Sequence, residues 1–262
     1  MTVDRDNIKV IILAGGFGSR LGDETQKKPK PMINIGGMPI IWHIMKFYSS
    51  FGFNNFIHTL GYKGGYIKNY FMNYKRNITD TTIDLATNQI TYHNNNIENW
   101  KIHFLDTGLD TETGGRIKKA MEFAPGKRIM ATYGDGLSNV NISELLRFHK
   151  SHGKLATLTA VRPPSRFGEI NLDNNQVLNF KEKNQIGTGW INGGFFILEP
   201  EVIEYIPSYS TPFERYPLET LSEKGELMAY KHKGFWQPMD VKREKDFLEK
   251  LWSEDNPPWK IW

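Results

Sequence analysis

The chain predicts an α/β fold: a mostly parallel sheet with helices on its faces, a small β-ribbon, and a helix-rich C-terminal part. Three observations carry this. Apolar strand-like runs alternate with amphipathic stretches at helical spacing through the first half, the pattern that lays helices on a parallel sheet. The middle, from about residue 155 to 200, is strand-dominated and punctuated by Asp-Asn-Asn and glycine. Beyond residue 199 the helical pattern returns. A chain of 262 residues can bury a substantial core. We expect one domain, with residues 8–198 as the α/β core and 199–262 as the helical part.

In chain order, "KVIILA" (9–14) is a Val/Ile-rich run that suits a strand buried on both faces. "NNFIHTL" (54–60), "KIHFLDT" (101–107) and "KRIMATY" (127–133) repeat the pattern. Between them lie helical stretches at "PIIWHIMKFYSSFG", "GYIKNYFMNYKR" and "GGRIKKAMEFA". "NISELLRFHKSHG" (141–153) has Asn141 as N-cap, Glu144 three residues on, and Gly153 as the terminating residue. The Asn-rich "ATNQITYHNNNIENW" (86–100) reads as a surface excursion. "LATLTAV" and "WINGGFFILEP" continue the sheet, and "FGEINLD" with "QVLNFKEK" makes the ribbon. "KREKDFLEKLW" closes the chain as a helix, followed by "PPWKIW", whose tryptophans with Trp252 suggest packing on the body or on another subunit.

Composition narrows the function classes. Lys and Arg exceed Asp and Glu by four, and between Gln26 and Thr79 eight basic residues meet no acidic one. Such a bias suits an anionic ligand. The cations are interleaved with glycine, proline and apolar residues, so we expect no nucleic-acid partner. There is no cysteine, which excludes disulfides and thiolate metal sites. The N-terminal MTVDRDN lacks the features of a signal peptide, and no apolar run reaches the roughly 20 residues of a membrane span. We therefore expect a cytoplasmic protein without a membrane partner.

The stretch "VIILAGGFGSRLG" (10–22) ends a strand in glycines. It lacks the Gly-Lys pair of a P-loop. It also misses the third glycine of a dinucleotide fingerprint and the acidic residue some twenty positions later. What remains is a turn whose amides, over Gly15 to Ser19, could cradle phosphates beside Arg20; the competing reading is a plain tight turn. "KKPKP" presents Lys30 between two prolines, on a stiff loop that we expect to be exposed. "ATYGDG" sets Asp135 at the carboxyl edge of the sheet, where open α/β folds bind ligands. Asp240, in "GFWQPMD", offers a second carboxylate for Mg²⁺ or the N-cap of the next helix. Glu182 and Lys183 could meet a sugar and a phosphate, or pair on the surface. Asn192 and Gly193 of "INGGFF" suit close approach of a ligand, or a bulge. Thr113 and Arg116 lie at a helix start that favours anions, or simply cap it. His149 and His152 lack a third metal ligand nearby and are taken as ordinary polar residues.

The order LAGGxGxR, KPKP, YGDG, EK, NGGFF and GFWQPMD resembles the sugar-1-phosphate nucleotidyltransferase family over residues 8–262, and within it the cytidylyl branch. The resemblance implies a mixed, mostly parallel, Rossmann-like sheet and Mg²⁺ as cofactor. It further implies CTP and glucose 1-phosphate as substrates and a homo-oligomer, a hexamer in that branch. It places catalysis on Arg20 and Lys30, and nucleotide binding on Leu13, Ala14, Gly15, Gly16, Gly18, Ser19, Thr113, Arg116, Tyr133 and Gly134. Sugar-phosphate binding falls on Glu182, Lys183, Asn192 and Gly193, and the metal on Asp135 and Asp240. Ser19 stands where the family has Thr, and Asn184 where it has Pro after Glu-Lys. Alternatives are a nucleotidyltransferase for another nucleotide or sugar phosphate, a metal-dependent glycosyltransferase, and a non-catalytic sugar-nucleotide sensor.

Overall fold

A computed structural model of the protein describes residues 7–18, 21–93, 97–163, 169–173, 176–181 and 189–262. Seven strands form the main sheet in the order Leu227–Lys231, Ala156–Val161, Ile191–Leu198, Ile129–Tyr133, Lys9–Ala14, Asn55–Leu60, Lys101–Asp106. Ile191–Leu198 runs antiparallel to both neighbours, and every other pairing is parallel. The sheet is thus mixed and mostly parallel, as the sequence predicts.

Both faces of the first strand are apolar because both are covered. Val10, Ile12 and Ala14 join one core cluster and Ile11 the other, the two-residue period expected of a strand between helical layers. Helices Ile40–Ser50, Ile142–His152 and Lys242–Ser253 supply the first face through Ile44, Leu145 and Leu248. Thr113–Phe123 and Tyr216–Glu223 supply the second through Ile117 and Leu221. The capping reading of the fourth predicted helix is met. Asn141 Oδ1 accepts from the Glu144 N–H at 3.0 Å, and Gly153 ends the helix at φ 64°.

The C-terminal part departs from the helical expectation. Residues 227–231 form an edge strand, parallel to Ala156–Val161 from Ala156↔Leu227 to Ala160↔Lys231. Trp236–Pro238 then pairs with Gly136–Ser138. "LMAYK" has no clear alternation, so only its pairing partner makes it a strand. Residues 86–91 of the Asn-rich excursion are exposed, yet Gln89–Tyr92 pairs with Thr81–Asp84 as a hairpin, and Trp100 at its end packs against the core. The ribbon is Glu169–Asp173 on Gln176–Lys181. The terminal tryptophans pack on the body: Trp259 is fully buried and its indole N–H donates to His43 Nδ1 at 3.3 Å. Gly36, at φ 58°, lies so close to the Trp252 indole that a Cβ would overlap it.

Six strands point the same way, so their carboxyl ends share one edge with the start of Ile191–Leu198. The glycine turn after Ala14, Thr107, Asp135 and Asn192 all lie along that edge.

Candidate active site

The glycine turn is shaped by what packs against it. Leu13 C=O accepts from Gly134 N–H, and Gly15 C=O accepts from Tyr62 N–H, each at 3.1 Å, so the turn is pinned to both adjoining strand ends. A Cβ at Gly15 would sit 2.1 Å from Arg116 Nη1. Gly18, at φ 65°, faces Lys30, and a Cβ added there would sit 2.8 Å from the lysine Cβ. These two glycines make room for cationic side chains. Gly16 has open space in front of it and is exposed. Ser19 and Arg20 lie outside the described residues, as do Glu182 and Lys183.

Lys30 corrects the expectation of an exposed loop. It opens a short 3-10 turn, Lys30–Met32, and is 8% exposed. Its ammonium donates to Asp135 Oδ2 at 2.5 Å and to Asp240 Oδ1 at 2.6 Å. Burial alone would pull its pKa down, but the charge of Asp135 and the hydrogen bonds to both carboxylates outweigh this and raise it. The flanking prolines therefore stiffen a buried ion pair that joins residues 105 and 210 positions apart. Asp240 does not cap the last helix: Val241 holds the N-cap position, and Glu244 accepts from the N–H groups of Asp240 and Val241.

Arg116 is also buried, at 4% exposure. Its Nη1 donates to the carbonyls of Leu60 and Gly108 and to the Thr107 hydroxyl, and its Nη2 donates to the carbonyls of Gly15 and Leu109. Burial lowers its pKa from the ordinary arginine value, offset by the nearby charges of Glu112 and Asp106. All four Nη hydrogens therefore have acceptors within the protein. The residue clamps the glycine turn to the 107–109 loop while itself bordering the cleft.

A second group lies beside it. Tyr133 Oη donates to Glu214 Oε1 at 2.5 Å, and Thr113 Oγ1 donates to Glu214 Oε2 at 2.6 Å. Asn192 Nδ2 donates to Tyr133 Oη at 3.3 Å. Gly194, at φ 78°, packs on the Tyr133 ring, and Gly193 packs on Val161 while its carbonyl accepts from the Trp236 indole. The glycines of "INGGFF" thus make room for protein side chains, and the strand register shifts there, from Leu158↔Phe196 to Ala160↔Asn192, as the bulge reading expects. Glu214 escapes sequence reasoning: "TPFERYP" carries no motif, and only the fold brings it to residues 113 and 133.

These elements border a cavity of about 540 Å³. Its walls are the Leu13–Gly18 turn, Lys30, the 109–113 loop, Arg116 and the Tyr133–Asp135 strand end. Of the described candidate residues, Asp240 joins the cavity group through Lys30 and Asn192 through Tyr133, while Gly193 is buried against Val161. Asp135 and Asp240 keep about a quarter of their side-chain surface exposed and share one cation, so the pair fits a divalent ion completed by substrate oxygens and water. Among the described residues no cluster of three or more His, Asp or Glu forms a closed metal cage. No helix among them is long and apolar enough to cross a membrane.

Comparison with known proteins agrees with this arrangement. The family model described as nucleotidyl transferase matches residues 9–250. Glucose-1-phosphate cytidylyltransferase of Salmonella typhi is 48% identical over 256 residues, 97% of this chain and all of the relative. The probable glucose-1-phosphate cytidylyltransferase of Bacillus subtilis (strain 168) is 41% identical over the same shares. The crystal structure of HddC from Yersinia pseudotuberculosis superposes with a TM-score of 0.70 at 24% identity, covering 94% of this chain and 99% of that one, a likeness of fold. With the family model spanning the sheet and its carboxyl edge, and two near full-length relatives sharing its enzymatic class, the chain belongs to the nucleotidyl transferase family and is a nucleotidyltransferase.

Proposed function

We propose that the protein transfers the cytidylyl group of CTP to α-D-glucose 1-phosphate, giving CDP-glucose and pyrophosphate. In this reading it works with Mg²⁺, in the cytoplasm, as a homo-oligomer, a hexamer by resemblance to the cytidylyl branch. The single observation that carries the chemistry is the Lys30 ammonium held between Asp135 and Asp240 at the wall of a cleft whose floor is a glycine turn. The names of the relatives support the choice of CTP and glucose 1-phosphate.

A phosphate oxygen of glucose 1-phosphate attacks the α-phosphorus of CTP. The bond to the bridging oxygen breaks, and pyrophosphate leaves with its electron pair. No side chain needs to form a covalent bond. The barrier comes from bringing two polyanions together in line, so positioning and positive charge lower it. Lys30 lies between Asp135 and Asp240 and offsets part of their repulsion of the phosphates. Arg116 sets the height of the glycine turn, whose amides receive the triphosphate. Arg20 is assigned to the departing pyrophosphate on the family pattern. Asp135 and Asp240 are the residues that would hold Mg²⁺, which would supply further positive charge at the site.

The test is pyrophosphate release from a panel of CTP, UTP, dTTP and GTP, each combined with glucose 1-phosphate or mannose 1-phosphate, with and without MgCl₂. CTP with glucose 1-phosphate and magnesium is expected to give the highest kcat/KM. Preference for another pair reassigns the substrates. Silence across the panel supports a sensor.

A further inference from the structure

Glu214 takes no part in the reaction described above, yet both its carboxylate oxygens receive hydroxyls that border the cleft. A carboxylate can only accept, so the proton directions follow. Each hydroxyl carries one proton, and in both Tyr133 and Thr113 that proton points at Glu214. Burial, reinforced by the charge of Glu214, raises the Tyr133 pKa, which keeps the phenol protonated and donating.

The other partners complete the pattern. Thr113 Oγ1 already accepts from Phe213 N–H at 2.8 Å, which leaves it one lone pair. Asn192 faces its Nδ2 to Tyr133, an orientation fixed because Gly194 N–H donates to Asn192 Oδ1 at 2.9 Å. The oxygens of Thr113, Tyr133 and Glu214 therefore have only acceptor capacity left. Asp110 and Glu112 border the same cleft and add further acceptors, whereas Lys30 stands beside Asp135.

We propose that Glu214 sets the hydrogen-bond polarity of this wall. By taking both hydroxyl protons it leaves the Thr113, Tyr133 and Glu214 oxygens as acceptors only, so they select a neutral hydrogen-bond donor on the substrate and turn phosphate and keto oxygens away. Within the nucleotidyl-transfer reading on which this rests, two groups have that chemistry: the exocyclic amine of a nucleobase such as cytosine, and a hydroxyl of the sugar. Uracil, with a keto oxygen in place of the amine, offers the wall an acceptor where it needs a donor. The same polarity orients the substrates, with their phosphates toward Lys30.

The test is Glu214→Gln, which keeps the shape but puts an NH₂ where one acceptor stood, freeing at least one hydroxyl proton. The expected result is an approximately 10-fold rise in KM for the substrate that carries the donor, since the wall then loses one good hydrogen bond, with kcat within a few-fold and the melting temperature near that of the wild type. If the donor is the nucleobase amine, KM for CTP rises and the preference for CTP over UTP shrinks. If it is a sugar hydroxyl, KM for glucose 1-phosphate rises, and the gap between it and one deoxyglucose 1-phosphate closes.

A folded Glu214→Gln enzyme with both KM values and both preferences unchanged overturns the proposal. Tyr133→Phe, which removes one of the two hydroxyls, is expected to weaken the same substrate and carries the test should the glutamine variant misfold. A wild-type chain that yields no pyrophosphate from any pair sinks the functional reading instead. Calorimetric titration of CMP, UMP and glucose 1-phosphate into wild type and Glu214→Gln then decides the polarity: an affinity difference supports it, and equal affinities overturn it.

Discussion

Replacing Lys30 by methionine keeps most of the volume and removes the charge between Asp135 and Asp240. The two carboxylates then face each other with no cation. Breaking a fully buried pair in this way costs about 3–5 kcal/mol. Here the carboxylates keep 29% and 26% of their side-chain surface, so water tempers the repulsion and we expect about 2 kcal/mol. That corresponds to a fall of about 4–8 °C in melting temperature. Magnesium should restore more of this loss in the variant than it adds to the wild type, because no ammonium competes for the carboxylates. Alkaline pH gives a second signature. The folded pKa of Lys30 is raised above 10.5, so the ion pair contributes fully below that value and is lost as pH rises through the folded pKa. The gap between wild type and Lys30→Met is therefore constant near neutrality and narrows above pH 10.5. Pyrophosphate release should fall about 10²–10³-fold, the range for losing one preorganised electrostatic contact. Scanning fluorimetry with and without MgCl₂, across pH, reads the stability arms. A variant with wild-type melting temperature, magnesium response and turnover would refute the reasoning.

Two further outcomes follow from buried groups. His58 is fully buried beside Phe71 and Phe104, and neither ring nitrogen has a hydrogen-bond partner among the described residues. Burial lowers its pKa to about 3, so stability is present above the unfolded value of 6.5 and is lost as pH falls below it. Between pH 7 and pH 5 His58 accounts for a loss of about 2 kcal/mol. His58→Leu should remove that part of the slope in urea titrations, and equal slopes would rule the histidine out as its source. Gly194→Ala forces a Cβ to within 2.2 Å of the Tyr133 ring at φ 78°. It should cost about 1–3 kcal/mol and raise KM by shifting Tyr133 off Glu214; unchanged melting and KM would show that the ring has room to move.

The strand-and-helix alternation was readable because each buried strand had to be apolar on both faces and each helix on one. Val10 to Ala14 and the Asn141 cap follow from local chemistry alone. The edge strand Leu227–Lys231 did not show, since a half-exposed five-residue run takes its conformation from the neighbour it pairs with. Lys30, Asp135 and Asp240 were legible as charged residues in special local settings. Their mutual contact was not, and neither was the burial that turns an apparent surface lysine into an ion-pair centre. Arg116 and Glu214 show the same limit. An arginine in the first turn of a helix looks the same in sequence whether it faces a phosphate or the carbonyls of its own chain, and a glutamate between Phe213 and Arg215 carries no local mark.

The layered sheet, the turn after the first strand and the set of charges available for phosphate chemistry are written in the order of the residues, because backbone preference and apolar periodicity act over a few positions. Which charges meet, which donors are already satisfied and which way the hydroxyl protons point are properties of the folded chain. Those depend on pairs of groups, some of them 81 to 210 positions apart, reaching hydrogen-bond distance, which only the folding of the chain brings about.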